Sequence, residues 1–195
     1  TFTLDGPTEH ATAYVATLGY HELYVNGTKV GDAVLSPAVS DYRRRALYLT
    51  YDLTEHLTPG ENCVALWLGR GWAAHKAYEL AHGPMAKAQV DITLAGGQTV
   101  QVATDATWKS HPTPITYLGN WRFNDFGGER YDARLELPGW NSTDLDDSAW
   151  PAAAVFEPPV QAISAQMVEP DRCIETIRPA AVRELAPDVY AIDMG

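Results

Sequence analysis

The sequence predicts an all-β protein: an antiparallel two-sheet jelly-roll sandwich, with the start of a second β-domain at its C-terminal end. Three observations lead there. Apolar and polar residues alternate with period two in segment after segment, the mark of strands with one face on a core and one in water. Clusters of Gly, Pro, Asn and Asp separate those segments, and no long stretch carries a 3.6-residue apolar stripe. Ten Tyr and six Trp favour strands over helices, and a hydrophobic content of 46% is ample for a core.

The first clear element is the hairpin YHELYVNGTKVGD. Tyr20, Glu22 and Tyr24 fall on one face and His21, Leu23 and Val25 on the other. Asn26-Gly27 turns the chain, because both residues take positive φ at low cost. In ALYLTYDL, Leu47, Leu49, Tyr51 and Leu53 share a face, with Tyr48, Thr50 and Asp52 opposite. CVALWL is apolar on both faces, which predicts the centre of a sheet. In KAQVDITL, Ala88, Val90, Ile92 and Leu94 alternate with Lys87, Gln89, Asp91 and Thr93, and Gly96-Gly97 turns this strand into QTVQVATD. Helix is expected only as single turns near Leu53 to Leu57 and Leu145 to Trp150, the latter capped by Asp147. Trp108, Trp140 and Trp150 follow turn signals and are expected to anchor strands to the core.

The Pro158-Pro159 pair marks an expected boundary, giving a sandwich over 1–157 and a linker with the first strands of a following β-domain over 158–195. QAISAQMVEP, CIETIRPAAVREL and DVYAIDMG supply those strands. The last stops at Gly195 without a polar tail, so the chain is expected to be a piece of a longer protein.

Bulk properties exclude several function classes. A net charge of −11 argues against nucleic acid, which requires clustered Lys and Arg. Arg43-Arg44-Arg45 is a short run that reads as a solvated turn. No apolar stretch approaches the roughly 20 residues of a membrane span, and Thr1 opens on no charged-then-apolar leader. Cys63 lies in an apolar strand, the usual setting of a buried free thiol. The histidines are scattered, with neither C-x-x-C nor H-E-x-x-H. Asn26-Gly27-Thr28 and Asn141-Ser142-Thr143 match the glycosylation sequon but read as turns. Compartment is left open.

Catalytic signatures are missing as well. Carboxylates are plentiful, yet no pair is singled out for glycoside chemistry. There is no G-x-S-x-G elbow, and Gly69-Arg70-Gly71-Trp72 is no phosphate loop. Two regions instead combine flat aromatics with hydrogen-bonding groups, the chemistry of saccharide recognition. One is GRGWAAHKAYELAHGP, with Trp72, Tyr78 and Glu79. The other is YLGNWRFNDFGGERYDAR, with Trp121, Glu129, Asp132 and Arg134, where Gly127-Gly128 permits a sharp bend. Each has a packing alternative: Trp72 and Tyr78 as caps on the core end, and Glu129, Asp132 and Arg134 as an ion-pair network.

In order and spacing, LGYHELYVNGTKVGDAVLSPAVSDYRRRALYLTYDLTEHLTPGENCVALWLGRGW resembles the first half of the amino-terminal module of bacterial α-L-rhamnosidases. MAKAQVDITLAGG, TDATWKS, GGERYDARLELPGWN, DDSAWPAAAVFEPP, AQMVEPDRCIETIRP and DVYAIDMG follow in matching order. The resemblance implies a galactose-binding-like sandwich within a parent enzyme that removes terminal α-L-rhamnose by inversion. It places the paired catalytic acids in a downstream (α/α) barrel, outside this chain. The partners implied are the rest of that chain, including further β-domains, and a rhamnose-containing glycan. No cofactor is required. In some relatives the equivalent sandwich holds rhamnose through calcium, a hard ion suited to oxygen ligands. The matching positions are Asp41 and the Glu79 to Pro84 stretch. Tyr42 stands where such a relative has an amide, Arg70 and Ala73 depart from the family's Gly-Asn-Gly-Trp-Tyr, and no Asn lies between Gly71 and Pro84. The preferred expectation is therefore a non-catalytic accessory sandwich, with an autonomous calcium-dependent rhamnose-binding module as the alternative and an independent enzyme as the third.

Overall fold

A computed structural model describes residues 1–74, 83–119, 127–157 and 162–195. The strands are β1 (Phe2–Leu4), β2 (Thr8–Leu18), β3 (Tyr20–Val25), β4 (Thr28–Lys29), β5 (Ala33–Val34), β6 (Arg45–Asp52), β7 (Gly60–Asn62) and β8 (Val64–Gly69). They continue as β9 (Met85–Leu94), β10 (Thr99–Ala103), β11 (Ile115–Tyr117), β12 (Glu129–Tyr131), β13 (Ala162–Ala165), β14 (Asp171–Arg172), β15 (Ala181–Ala186) and β16 (Val189–Asp193). Helical structure among the described residues is confined to 3₁₀ turns, at Thr54–His56, Gly71–Ala74 and Ala133–Leu135. The all-β expectation holds.

Two sheets build the core. One has five strands in the order β10-β9-β2-β6-β13, the other three in the order β4-β3-β8. Pairing is antiparallel except where β13 runs parallel to β6. Ala11, Ala13 and Val15 of β2 and Val90 and Ile92 of β9 pack against Leu23 and Val25 of β3 in one buried cluster. The alternation read in Tyr20–Val25 and in Lys87–Leu94 is the alternation observed: His21, Leu23 and Val25 are buried, as are Ala88, Val90, Ile92 and Leu94. Asn26 and Gly27 both have positive φ, at 49° and 83°, so the hairpin forms as expected. Gly97 does the same for the β9–β10 turn.

Three expectations are corrected. CVALWL lies not at the centre of a sheet but, as β8, at the edge of the three-stranded one among the described residues. Its outward apolar residue is explained by a cover: Trp140 packs edge-on against Trp67 and Tyr24, with ring centroids 5.4 and 5.1 Å apart. Around Leu145 to Trp150 the chain makes turns rather than helix, and the side-chain cap is Asp146, which accepts from the Ser148 N–H. Asp147 instead accepts the Trp150 N–H on its carbonyl and pairs with Lys109 through its carboxylate. None of Trp108, Trp140 and Trp150 enters the core clusters. Trp108 donates its indole N–H to Ala103, and Trp150 stacks on His111. Along β6 and the residue after it the predicted face is kept but its burial is uneven: Leu53 is fully buried, Leu47 and Leu49 half-buried. A three-stranded sheet does not span the whole face of a five-stranded one.

Buried polar groups join the two sheets. His21 of β3 meets Thr17 of β2 through Nδ1 and Tyr51 of β6 through Nε2, both at 2.9 Å. The Thr17 hydroxyl donates to the Gly19 carbonyl. Thr17 therefore accepts from Nδ1, and Nε2 accepts from the Tyr51 hydroxyl, so the neutral imidazole is satisfied at both nitrogens. Asn62, fully buried, accepts from Asn26 Nδ2 and Thr58 N–H and donates to the Thr58 and Gly60 carbonyls. Asn26 also accepts from Cys63 N–H, and Asn141 is buried beside Gly27, so both sequon asparagines are built into one turn region. Cys63 and Cys173 are free thiols, the first buried and the second exposed.

Beyond Phe156 the chain returns to the sandwich before leaving it. After β13 joins β6, Gln166 accepts from Ala38 N–H at 2.7 Å, β14 pairs with β5, and Arg172 bridges Asp32. Among the described residues, the β15–β16 hairpin then pairs only within itself.

Candidate functional site

The aromatic end of the sandwich is built where β2 turns into β3 and β8 ends. Gly19, at φ 106°, lets that turn pass the end of β8: a Cβ there would lie 2.3 Å from the Gly69 carbonyl oxygen. Gly71 lies against the Tyr20 ring, where a Cβ would come within 2.8 Å. With the backbone held this close, the Gly71–Ala74 turn places Ala73 in a second buried cluster with Leu18, Tyr42 and Ala46, flanked by Met85. Trp72 and Asp41 are the neighbours of Ala73 and Tyr42. The structure thus brings these two predicted residues to one end of the molecule, with Trp72 45% exposed.

Asp41 is already engaged there. Its carboxylate accepts from Arg43 at N–H, Nε and Nη2, and Arg44 Nε lies 3.7 Å away. The Arg43 hydrogen bonds hold its carboxyl below the usual carboxylate range. Among the described residues no group of three or more His, Cys, Asp and Glu gathers where it could hold a metal ion.

Arg70 extends this end toward the second region. Its guanidinium lies 4.7 Å over the Tyr117 ring and its N–H donates to the Tyr117 hydroxyl. Tyr117 on β11 pairs in register with Glu129 on β12, which puts Glu129 beside the Arg70–Tyr117 stack. Gly127 and Gly128 both have positive φ, as a sharp bend requires. Asp132 and Arg134, just past β12, pair with each other. Asp132 caps the Ala133–Leu135 turn by accepting Arg134 N–H, and takes both Nε and Nη2 of the same arginine. Those bonds lower the Asp132 pKa and raise that of Arg134. Arg134 is exposed and Asp132 half-buried, and their pairing is the ion pair expected, without Glu129 among its contacts. Tyr78, Glu79 and Trp121 lie outside the described residues.

Arg70 and Tyr117 lie inside the two aromatic segments of the sequence but were not singled out as site residues. Arg70 was visible only as a substitution in a glycine-rich turn, and Tyr117 carried no signal linking it to a residue 47 positions earlier.

A family model described as the α-L-rhamnosidase N-terminal domain matches residues 6–175 of this chain. An α-L-rhamnosidase of Formosa agariphila is 34% identical over 202 residues, which is 98% of this chain and 21% of that protein. Among solved structures, the Streptomyces avermitilis α-L-rhamnosidase complexed with L-rhamnose is 32% identical with a TM-score of 0.86, covering 99% of this chain and 19% of that one. The α-L-rhamnosidase from Dictyoglumus thermophilum, also 32% identical, has a TM-score of 0.83 over 99% of this chain and 21% of its own. The chain spans about a fifth of the length of these relatives.

Proposed function

This chain belongs to the α-L-rhamnosidase N-terminal domain family, and from that premise we propose that it is the non-catalytic accessory β-sandwich of an inverting α-L-rhamnosidase, docked against the remainder of its parent chain. The observation that carries this reading is the apolar surface at the C-terminal end. Val182, Leu185, Val189, Tyr190 and Ile192 of the β15–β16 hairpin are each more than half exposed, and so are Met167, Ile174 and Ile177 before it. So many exposed apolar side chains along one terminal segment mark an interaction site. The stitching of β13, Gln166 and β14 to the sandwich supports a docking partner held at a set position rather than on a free linker. We assign residues 1–157 to the sandwich body and 158–195 to a linker that first adds β13 and β14 to that body, before the β15–β16 hairpin begins the following β-domain. The partner is that domain and the catalytic (α/α) barrel beyond it.

Carbohydrate binding at the aromatic end is the second reading, favoured by the exposed Trp72 at the same end as Asp41 and by the Arg70–Tyr117–Glu129 group. It takes Trp72, Glu129 and Asp41 as contacts, Asp132 and Arg134 as a flanking pair, and Tyr78, Glu79 and Trp121 as additions from the undescribed segments. In its calcium form an ion must displace Arg43 from Asp41.

Two assays separate the readings. The 195-residue chain is expected not to hydrolyse a chromogenic α-L-rhamnoside, whereas the parent enzyme does. Turnover by the chain alone would sink the accessory reading. A calorimetric titration with L-rhamnose, with and without calcium, is expected to be flat. Calcium-dependent heat lost in Asp41→Ala would establish the binding module instead.

A further inference from the structure

Among the described residues, the outward face of the five-stranded sheet is closed at one end only. There Leu18 and Ala46 are covered by Tyr42 and Ala73. Further along the same face lies an open row of side chains that the accessory reading does not use. Tyr14 of β2 is 38% exposed and meets Tyr48 of β6 edge-on, with ring centroids 5.9 Å apart. Asp91 of β9 sits one register step from the Tyr14 row, opposite Thr12 on one side and Gln101 of β10 on the other. Its two carboxylate oxygens accept from Gln89 Nε2 at 3.0 Å each, and Oδ1 also accepts from Gln101 Nε2 at 2.8 Å. The outcome is an interlocked set of amide, carboxylate and amide beside an aromatic pair in which Tyr14 is exposed and Tyr48 half-buried.

We propose that this open face is a binding platform for a neutral oligosaccharide, with pyranose rings against Tyr14 and Tyr48 and hydroxyls bonded by Gln89, Asp91 and Gln101. Three observations select that ligand. Aromatic faces accept the C–H side of a sugar ring. The interlocked side chains leave the amide carbonyls and the unused carboxylate lone pairs for hydroxyl donors, and hold them in place before the ligand arrives. The chain's net charge of −11 disfavours polyanions, which favours neutral over acidic saccharides. Size agrees: four strands at normal spacing put about 14 Å between β6 and β10, room for several sugar units. A shallow depression of about 340 Å³, bordered by Asp91, Thr93, Thr99 and Gln101, continues the platform to the sheet edge. The site is separate from the Asp41–Trp72 end and stands whether or not the chain serves a rhamnosidase.

The test is a ¹H–¹⁵N NMR titration of the 195-residue chain with xylohexaose, cellohexaose and mannohexaose. At least one is expected to shift resonances of residues 12–14, 48–50, 89–91 and 99–101, with a micromolar to millimolar Kd. Tyr14→Ala and Gln101→Ala should each weaken that binding about tenfold with an unchanged unfolding midpoint, while Tyr14→Phe should retain it. Absence of shifts on this face with all three sugars overturns the proposal. So do shifts confined to residues 41–44 and 71–73, or affinity indifferent to both alanine variants.

Discussion

His21 shows how a single buried titratable group sets the acid limit of this sandwich. Desolvation lowers its pKa to about 4, with the Glu22 charge opposing only in part. An unfolded chain returns it to about 6.5. Below that value the unfolded state takes up a proton that the folded state refuses, so stability is full at neutral pH and falls as the pH drops from about 6.5 toward about 4. The expected loss from this group is on the order of 2 kcal/mol between about pH 7.5 and about pH 5. Urea unfolding of the wild type and His21→Gln at both pH values measures it. The variant should be less stable at neutral pH, because Thr17 and Tyr51 lose their partner, and its pH slope should be shallower by that amount. Equal slopes would show that the imidazole is not held neutral.

Among the elements, the turn between β2 and β3 is the least replaceable. Gly19 combines a positive φ with a backbone oxygen where a Cβ would stand, and backbone does not yield as a side-chain tip does. Gly19→Ala is therefore expected to cost about 2–4 kcal/mol in a denaturant titration. Gly96→Ala, where nothing lies within 4 Å of the added methyl, should change stability by less than about 1 kcal/mol. Similar costs for both would mean that the Gly19 approach is not what holds β8 against the turn. This contrast was illegible in the sequence, where Gly19, Gly27 and Gly96 are alike. The Asn26-Gly27 turn was legible because both its cause and its effect are local. The place of β8 was not, because an apolar run covered on its outer side by Trp140 has the same pattern as one buried between neighbouring strands.

For the whole molecule, the outward apolar hairpin and the high negative charge pull in opposite directions: one promotes association, the other repulsion. The chain is expected to bind a hydrophobic dye, and to do so more strongly at high salt, where screening weakens the repulsion. Deleting residues 180–195 should remove most of that dye signal and leave the unfolding midpoint of the sandwich nearly unchanged, since among the described residues β15 and β16 pair only with each other. A large loss of stability on deletion would show instead that the hairpin belongs to the sandwich core. The all-β class, the two hairpin turns and the buried faces of β3 and β9 were decided by the sequence, because alternation and turn chemistry act between residues a few positions apart. Tertiary structure alone joined Tyr42 to Ala73, Arg70 to Tyr117 and Gln166 to Ala38, and returned β13 to the first sheet. Those contacts depend on how two sheets of unequal width cover one another, which no short-range pattern encodes. The candidate site shares that origin: Asp41 and Trp72 could be named from their chemistry, but their meeting at one end follows from the packing beneath them.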